Sequence, residues 1–132
     1  MNHKKNIEKH FKDTYFKKFF SLTGSGSSAL YFVLKYFKDK KLNVGIPCII
    51  CPSVPSTIIA AGHNPYFIDI DRKTLSIPHS ELQKIHQDLD IFIAVHNYGL
   101  ICNIKKISKF CRTNGIFLIE DCCLTQGAFL ND

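Results

Sequence analysis

Three clusters of polar and acidic residues carry the chemistry this sequence offers, and each follows a short apolar run. Gly24-Ser25-Gly26-Ser27-Ser28 comes after Phe19-Phe20-Ser21-Leu22. His96-Asn97-Tyr98-Gly99 comes after Ile91–Val95, and Glu120-Asp121 after Ile116–Ile119. In the first cluster, glycines let the backbone approach an anion closely, while serine hydroxyls and helix N-terminal amides donate to it with help from the macrodipole. A phosphate suits that chemistry, and so does an ordinary helix cap. The stretch is not a Walker loop, which needs Gly-Lys-Ser/Thr, and it is not GxGxxG, because Gly24-x-Gly26 is followed by Ala29. A carboxylate beyond a strand either caps the next helix or pairs with a cation on a ligand. Facing a heteroaromatic nitrogen, it favours the protonated form of that nitrogen.

The cysteines open a second line. There are six: Cys48, Cys51, Cys102, Cys111, Cys122 and Cys123. Cys48-Ile49-Ile50-Cys51 stands between a strand and a helix pattern, where a thiol-redox pair would sit. Zinc would need two more ligands, and the adjacent Cys122-Cys123 make a poor second half-site, so no metal is expected. Small buried thiols are the plainest reading. The N-terminus lacks the apolar core of a signal peptide, which favours free thiols and a cytoplasmic protein.

The elements that must position these clusters follow a regular rhythm. Residues 3–20 alternate Phe, Tyr and Ile with Lys, Glu and His at near-helical spacing, which predicts a basic amphipathic helix packed by its aromatic face on the body of the protein. Strands are expected at Phe19–Leu22, Asn43–Ile46, Tyr66–Ile70, Ile91–Val95 and Ile116–Ile119. Helices are expected at Ala29–Phe37, Val54–Ala61, Pro78–His86 and Ile104–Arg112. Apolar strands of four to six residues alternating with helices of about ten imply βαβ units, an α/β fold with a mainly parallel sheet of about five strands covered on both faces. The organisation expected is an N-terminal helix over residues 1–18 and an α/β body over residues 19–132. In such sheets ligands gather at the carboxyl ends of the strands, where all three clusters fall.

Composition narrows the function classes. The 132 residues carry a net charge of +6, and 45 % are apolar. Residues 1–20 hold six lysines against Glu8 and Asp13, so the other 112 residues carry only +2. A basic N-terminal segment is indicated and a nucleic-acid-binding surface over the whole domain is not. No apolar run reaches the roughly 18 residues of a membrane span.

Five blocks resemble, in order and with similar gaps, the DegT/DnrJ family of sugar aminotransferases. Ser25-Gly26-Ser27-Ser28-Ala29-Leu30 resembles its SGTxAL. Val44-Gly45-Ile46-Pro47 followed by Cys51 is similar to its VIVPxxTx. Ala61–Asp71 resembles AGxxPVFVDID, and Val95–Gly99 resembles VHLYG. Ile119-Glu120-Asp121-Cys122-Cys123 with Gly127-Ala128 resembles IEDAAQAxGA. The resemblance spans roughly residues 20–130. It implies part of the large domain of a fold type I pyridoxal-phosphate enzyme, one that moves an amino group, usually from glutamate, to a nucleotide-linked keto sugar for polysaccharide or glycan synthesis. Asp121 is then implied to pair with the pyridine nitrogen of pyridoxal 5'-phosphate. Gly26, Ser27 and Ser28 are implied to hold its phosphate, and Cys51 to lie where the family often stacks an aromatic residue on the ring. Leu124 stands where the family has a Gln or His that contacts the ring hydroxyl.

The family's Schiff-base lysine lies several tens of residues beyond the aspartate, after the last residue of this sequence. The resemblance therefore implies an N-terminal fragment without transaminase activity of its own, from a protein that is usually a homodimer. Two other readings stand beside it: a small thiol-redox protein using Cys48 and Cys51, and a non-catalytic remnant that binds a partner.

Overall fold

The computed structural model describes residues 3–15 and 19–128. Helix α1 covers His3–Tyr15 and α2 Gly26–Lys35. Strand β1 (Asn43–Pro47), helix α3 (Ser53–Ala61), strand β2 (Asn64–Ile68) and helix α4 (His79–Ile85) follow. Strand β3 (Ile91–Val95), helix α5 (Ile104–Thr113) and strand β4 (Phe117–Asp121) complete the described order. The helix boundaries follow local chemistry. Ser25 Oγ accepts the Ser28 N–H at 3.1 Å and caps α2. Asn103 Oδ1 accepts the Lys106 N–H at 3.1 Å and caps α5. Gly62, at φ 97°, ends α3 in the left-handed conformation a glycine takes without strain.

The four strands form one parallel sheet in the order β2-β1-β3-β4. Helix α3 links β1 to β2 on one side, and α5 links β3 to β4 on the other, so the chain turns in opposite directions from β1 and β3. A crevice opens at that switch point, above the carboxyl ends of the strands.

Strand residues alternate between two cores because the side-chain period is two. Val44, Ile46, Ile91 and Ile93 pack with Leu34 of α2 and with Val54 and Ile58 of α3. Phe92 and Ala94 point the other way and pack with Leu82 of α4 and with Ile107 and Cys111 of α5. Gly45 lies on that second face with no room to spare: a methyl group there would come within 3.0 Å of Ile68 Cδ1 and Leu89 Cδ1.

Two expectations change. Phe19–Leu22 carries no strand, so the sheet has four strands among the described residues. The apolar character of this run is spent otherwise: the Phe20 ring stacks on Phe11 of α1, with centroids 5.0 Å apart and planes 24° from parallel. The last strand runs through both acids instead of stopping at Ile119, and its pairing continues to Val95↔Asp121. Residues 1–2 and 16–18 of the expected N-terminal helix lie outside the described residues, and Phe19-Phe20, at the end of its amphipathic pattern, are not helical.

Candidate functional site

A cavity of about 730 Å³ fills the crevice above the sheet. Its walls come from the start of α2, the loop after β1, the turn after β3 and the segment after β4. Gly26, Ser27, Cys51 and Asp121, four of the five residues expected at the site, line it together. Ser28 does not. Its N–H donates to Ser25 Oγ, and its hydroxyl lies 3.0 Å from the same oxygen. Leu124 lines the cavity and is 60 % exposed at its mouth.

The pleat of β4 separates its two acids. Ile119 packs with the core below α2 and α3, and Leu118 with the core below α4 and α5. Asp121 therefore shares the face of Ile119, toward α2, and Glu120 the face of Leu118. His96, immediately after β3, continues the alternation of Phe92 and Ala94 and meets Glu120 on that second side.

His96 is buried and fully engaged. Its Nδ1 accepts the Cys102 N–H at 3.1 Å. A nitrogen that accepts carries no proton, so the ring proton sits on Nε2, which donates to Glu120 Oε1 at 2.8 Å. This pair joins two strand ends 24 residues apart in sequence. The sequence shows His96 within a polar cluster but nothing that names Glu120 as its partner. Asn97 Nδ2 donates to the Ile49 carbonyl at 3.2 Å and ties the turn after β3 to the loop after β1. Tyr98, at φ 54° and ψ 30°, adopts the left-handed conformation beside Gly99 and lies exposed at the cavity wall.

Asp121 is held differently. Its backbone carbonyl accepts the His96 N–H at 3.1 Å, and its Oδ1 accepts the Cys123 N–H at 3.0 Å. The Asp121 carboxylate beside it, with burial, pushes the Cys123 thiol up to about 11. Burial and then Glu120 push the neighbouring Cys122 thiol upward. Cys51 goes the other way: the Ser53 hydroxyl, which donates to its Sγ at 3.2 Å, holds the thiol below its ordinary value. All six cysteines are free thiols, with Cys48 and Cys51 both exposed.

His96 Nε2, a Glu120 oxygen and Cys122 Sγ lie within 4.8 Å of one another. They make a poor metal site, since the histidine lone pair facing a metal would have to be Nε2, which bears the proton. Among the described residues no lysine lines the cavity, and no helix is long and apolar enough to cross a membrane.

The model of the DegT/DnrJ/EryC1/StrS aminotransferase family matches residues 2–132. The chain belongs to this family. It is 30 % identical over 135 residues to the GDP-4-keto-6-deoxy-D-mannose 3-dehydratase of Yersinia pseudotuberculosis, covering 96 % of this chain and 34 % of the relative. To the GDP-perosamine synthase of Vibrio cholerae it is 32 % identical over 77 residues, covering 58 % and 21 %. Among solved structures it is similar to the Escherichia coli GDP-4-keto-6-deoxy-D-mannose-3-dehydratase with bound hydrated pyridoxal phosphate, at a TM-score of 0.85 and 25 % identity, covering 97 % of this chain and 35 % of that one. The aminotransferase of Psychrobacter cryohalolentis shares the fold at a TM-score of 0.84 and 23 % identity, covering 95 % and 32 %. The chain thus spans about a third or less of these relatives, and the fold is that of part of a type I pyridoxal-phosphate large domain.

Proposed function

We propose that this chain supplies the cofactor-holding half of a pyridoxal 5'-phosphate site, in a protein that acts on nucleotide-linked keto sugars. The carrying observation is that Gly26 and Ser27 on one side and Asp121 on the other line one cavity at the switch point of the sheet. The residues fit the cofactor. The first turn of α2 offers amides without intrahelical partners and a serine hydroxyl, which suit a phosphate. Asp121 is a carboxylate with the Cys123 N–H on one side and the cavity on the other, which suits a protonated ring nitrogen. When bound, the cofactor supplies an electron sink for the carbon that bears the amino group.

In this reading Gly26 and Ser27 bind the phosphate, and Asp121 keeps the ring nitrogen protonated. Ser28 acts through the cap with Ser25, which fixes the turn that presents its two neighbours. Cys51 stands at the ring wall as a small thiol, and Leu124 closes the mouth without a hydrogen bond to offer. The organisation assigned is an N-terminal amphipathic helix over residues 1–18 followed by the truncated large-domain body over 19–132. The relatives' names carry the substrate class. One relative makes GDP-perosamine, and one solved dehydratase holds GDP-perosamine. Amino transfer from glutamate to such a sugar, in a cytoplasmic homodimer, is the activity we assign to the whole protein.

The test is a titration of the purified chain with pyridoxal 5'-phosphate, read by near-ultraviolet absorbance and dichroism. A saturable induced signal that inorganic phosphate competes away is the expected result, and a linear, non-saturable response overturns the reading. Because no lysine lines the cavity among the described residues, the 132-residue chain by itself should show no glutamate-dependent amino transfer to a keto sugar.

A further inference from the structure

The turn after β3 holds a bulky residue in a conformation that suits glycine. Tyr98 stands at φ 54° and ψ 30°, where a Cβ crowds the backbone, and Gly99 beside it takes φ 81° without strain. Hydrogen bonds fix the turn. The Leu100 N–H donates to the Asn97 carbonyl at 2.9 Å, and Asn97 Nδ2 donates to the Ile49 carbonyl at 3.2 Å. The strain brings the fold no burial in return, because Tyr98 is 66 % exposed. The residue lines the cavity instead. It lies three residues beyond Val95, the register partner of Asp121, and its turn is tied to the loop that carries Cys51. Among the described residues it is the only Phe, Tyr or Trp on the cavity wall. The other aromatic ring there, His96, is buried with both nitrogens engaged.

We propose that Tyr98 is the aromatic contact of this site, its ring lying against the flat pyridine ring of pyridoxal 5'-phosphate; this rests on the cofactor reading above. Without it the site holds the two ends of the cofactor and little between them. Gly26 and Ser27 take the phosphate, Asp121 takes the ring nitrogen, and Cys51 gives the ring wall only a small thiol. A protonated pyridine ring is electron-poor and a phenol ring presents a negative face, so contact between them is attractive. The left-handed backbone has a part in this. It breaks the two-residue alternation of the strand, so the side chain is carried to the open side of the turn rather than into either core. The ring, not the hydroxyl, is what the contact requires.

The experiment uses the purified full chain and the variants Tyr98→Ala, Tyr98→Phe and Tyr98→Gly. Three quantities are read for each: the apparent Kd of pyridoxal 5'-phosphate by induced dichroism, the competition constant of inorganic phosphate against it, and the melting temperature. Tyr98→Ala is expected to raise the cofactor Kd about three- to tenfold, the range of one aromatic contact. The phosphate constant should stay at the parent value, because phosphate has no ring to meet. Tyr98→Phe should recover the parent Kd. Tyr98→Gly should bind as weakly as the alanine variant and yet melt above the parent chain, since glycine relieves the strain. A ring that merely packs on the fold would give the opposite sign, a lower melting temperature. The inference is overturned if a parent chain that binds saturably is matched by Tyr98→Ala, if the phosphate constant weakens in step with the cofactor Kd, if phenylalanine fails to recover the affinity, or if the glycine variant melts below the parent. If the parent chain itself gives no saturable signal, the cofactor reading fails, and this inference fails with it.

Discussion

Glu120 and Asp121 are adjacent in sequence, end the same strand and both line the cavity, yet their carboxylates are held in two different ways. On the α4/α5 side, Glu120, His96 and the Cys102 N–H form a chain of hydrogen bonds in which both ring nitrogens are used. On the α2 side, the Asp121 carboxylate takes one donor, the N–H of Cys123 two residues along the same chain, and otherwise faces the cavity. The first arrangement joins β3, β4 and the loop before α5, and its value lies in being closed. The second leaves an anion partly unsatisfied at a position fixed by the first. The comparison teaches that pleating can give two neighbouring acids different partners at one cavity: Glu120 is engaged by His96, and Asp121 keeps more of its capacity for a ligand.

The largest expected effect breaks this comparison at the ligand side. Asp121→Asn removes the negative charge while keeping size and shape, so a charge-assisted hydrogen bond worth about 1.5–3 kcal/mol is lost from the complex. Pyridoxal-phosphate affinity, read by induced dichroism, should fall about 10- to 100-fold with the melting temperature nearly unchanged. Glu120→Gln should shift affinity less than about threefold, because the glutamine carbonyl still accepts from His96 Nε2. Equal losses in the two variants would mean that the acids are not divided in this way.

The next effect breaks the scaffold side. His96→Ala leaves the buried Cys102 N–H without its acceptor, at a cost of about 1–3 kcal/mol in denaturant unfolding. His96→Asn is the sharper variant, since its side-chain oxygen offers an acceptor on a shorter reach and should recover part of the loss. A smaller effect concerns α2. Ser25→Ala removes the cap on the Ser28 N–H and should lower stability by about 1 kcal/mol. It also frees that amide toward the phosphate end, so affinity should fall by much less than stability does.

Much of this arrangement was legible before any coordinates. From Asn43 onward the alternation of short apolar runs with Gly- and Pro-bounded helical patterns marks each strand and helix within a few residues, because burial on both faces leaves a continuous apolar signature in the sequence. Phe19–Leu22 reads the same way and is no strand: Phe19 and Leu22 are exposed, and the Phe20 ring packs on a helix, outcomes that an apolar run by itself does not distinguish from a strand. The clusters at Gly26–Ser27 and Asp121 could be assigned to one end of a parallel sheet by topology. The His96–Glu120 pair could not, because it depends on the register between β3 and β4. Cys123 was visible only as half of a vicinal thiol pair.

The smallest effect near neutral pH concerns the thiols, and it grows only in alkali. Burial pushes Cys102 and Cys111 up to about 11, and Asp121 does the same to Cys123, from an ordinary value of 9.0. A thiol whose folded value is raised ionises more readily in the unfolded chain. Its contribution to stability is therefore fully present below pH 9 and is lost as pH rises from 9 toward 11. Unfolding midpoints in urea should be flat from pH 7 to 8.5 and then fall. The two sides of β4 separate again in the variants. Asp121→Asn removes the main cause of the Cys123 shift and should flatten part of the alkaline fall. Glu120→Gln acts on Cys102 only through a contribution secondary to burial, so most of the fall should remain. A fall of equal depth in the parent chain and in both variants would place the whole effect in the buried Cys102 and Cys111 and remove Cys123 from it.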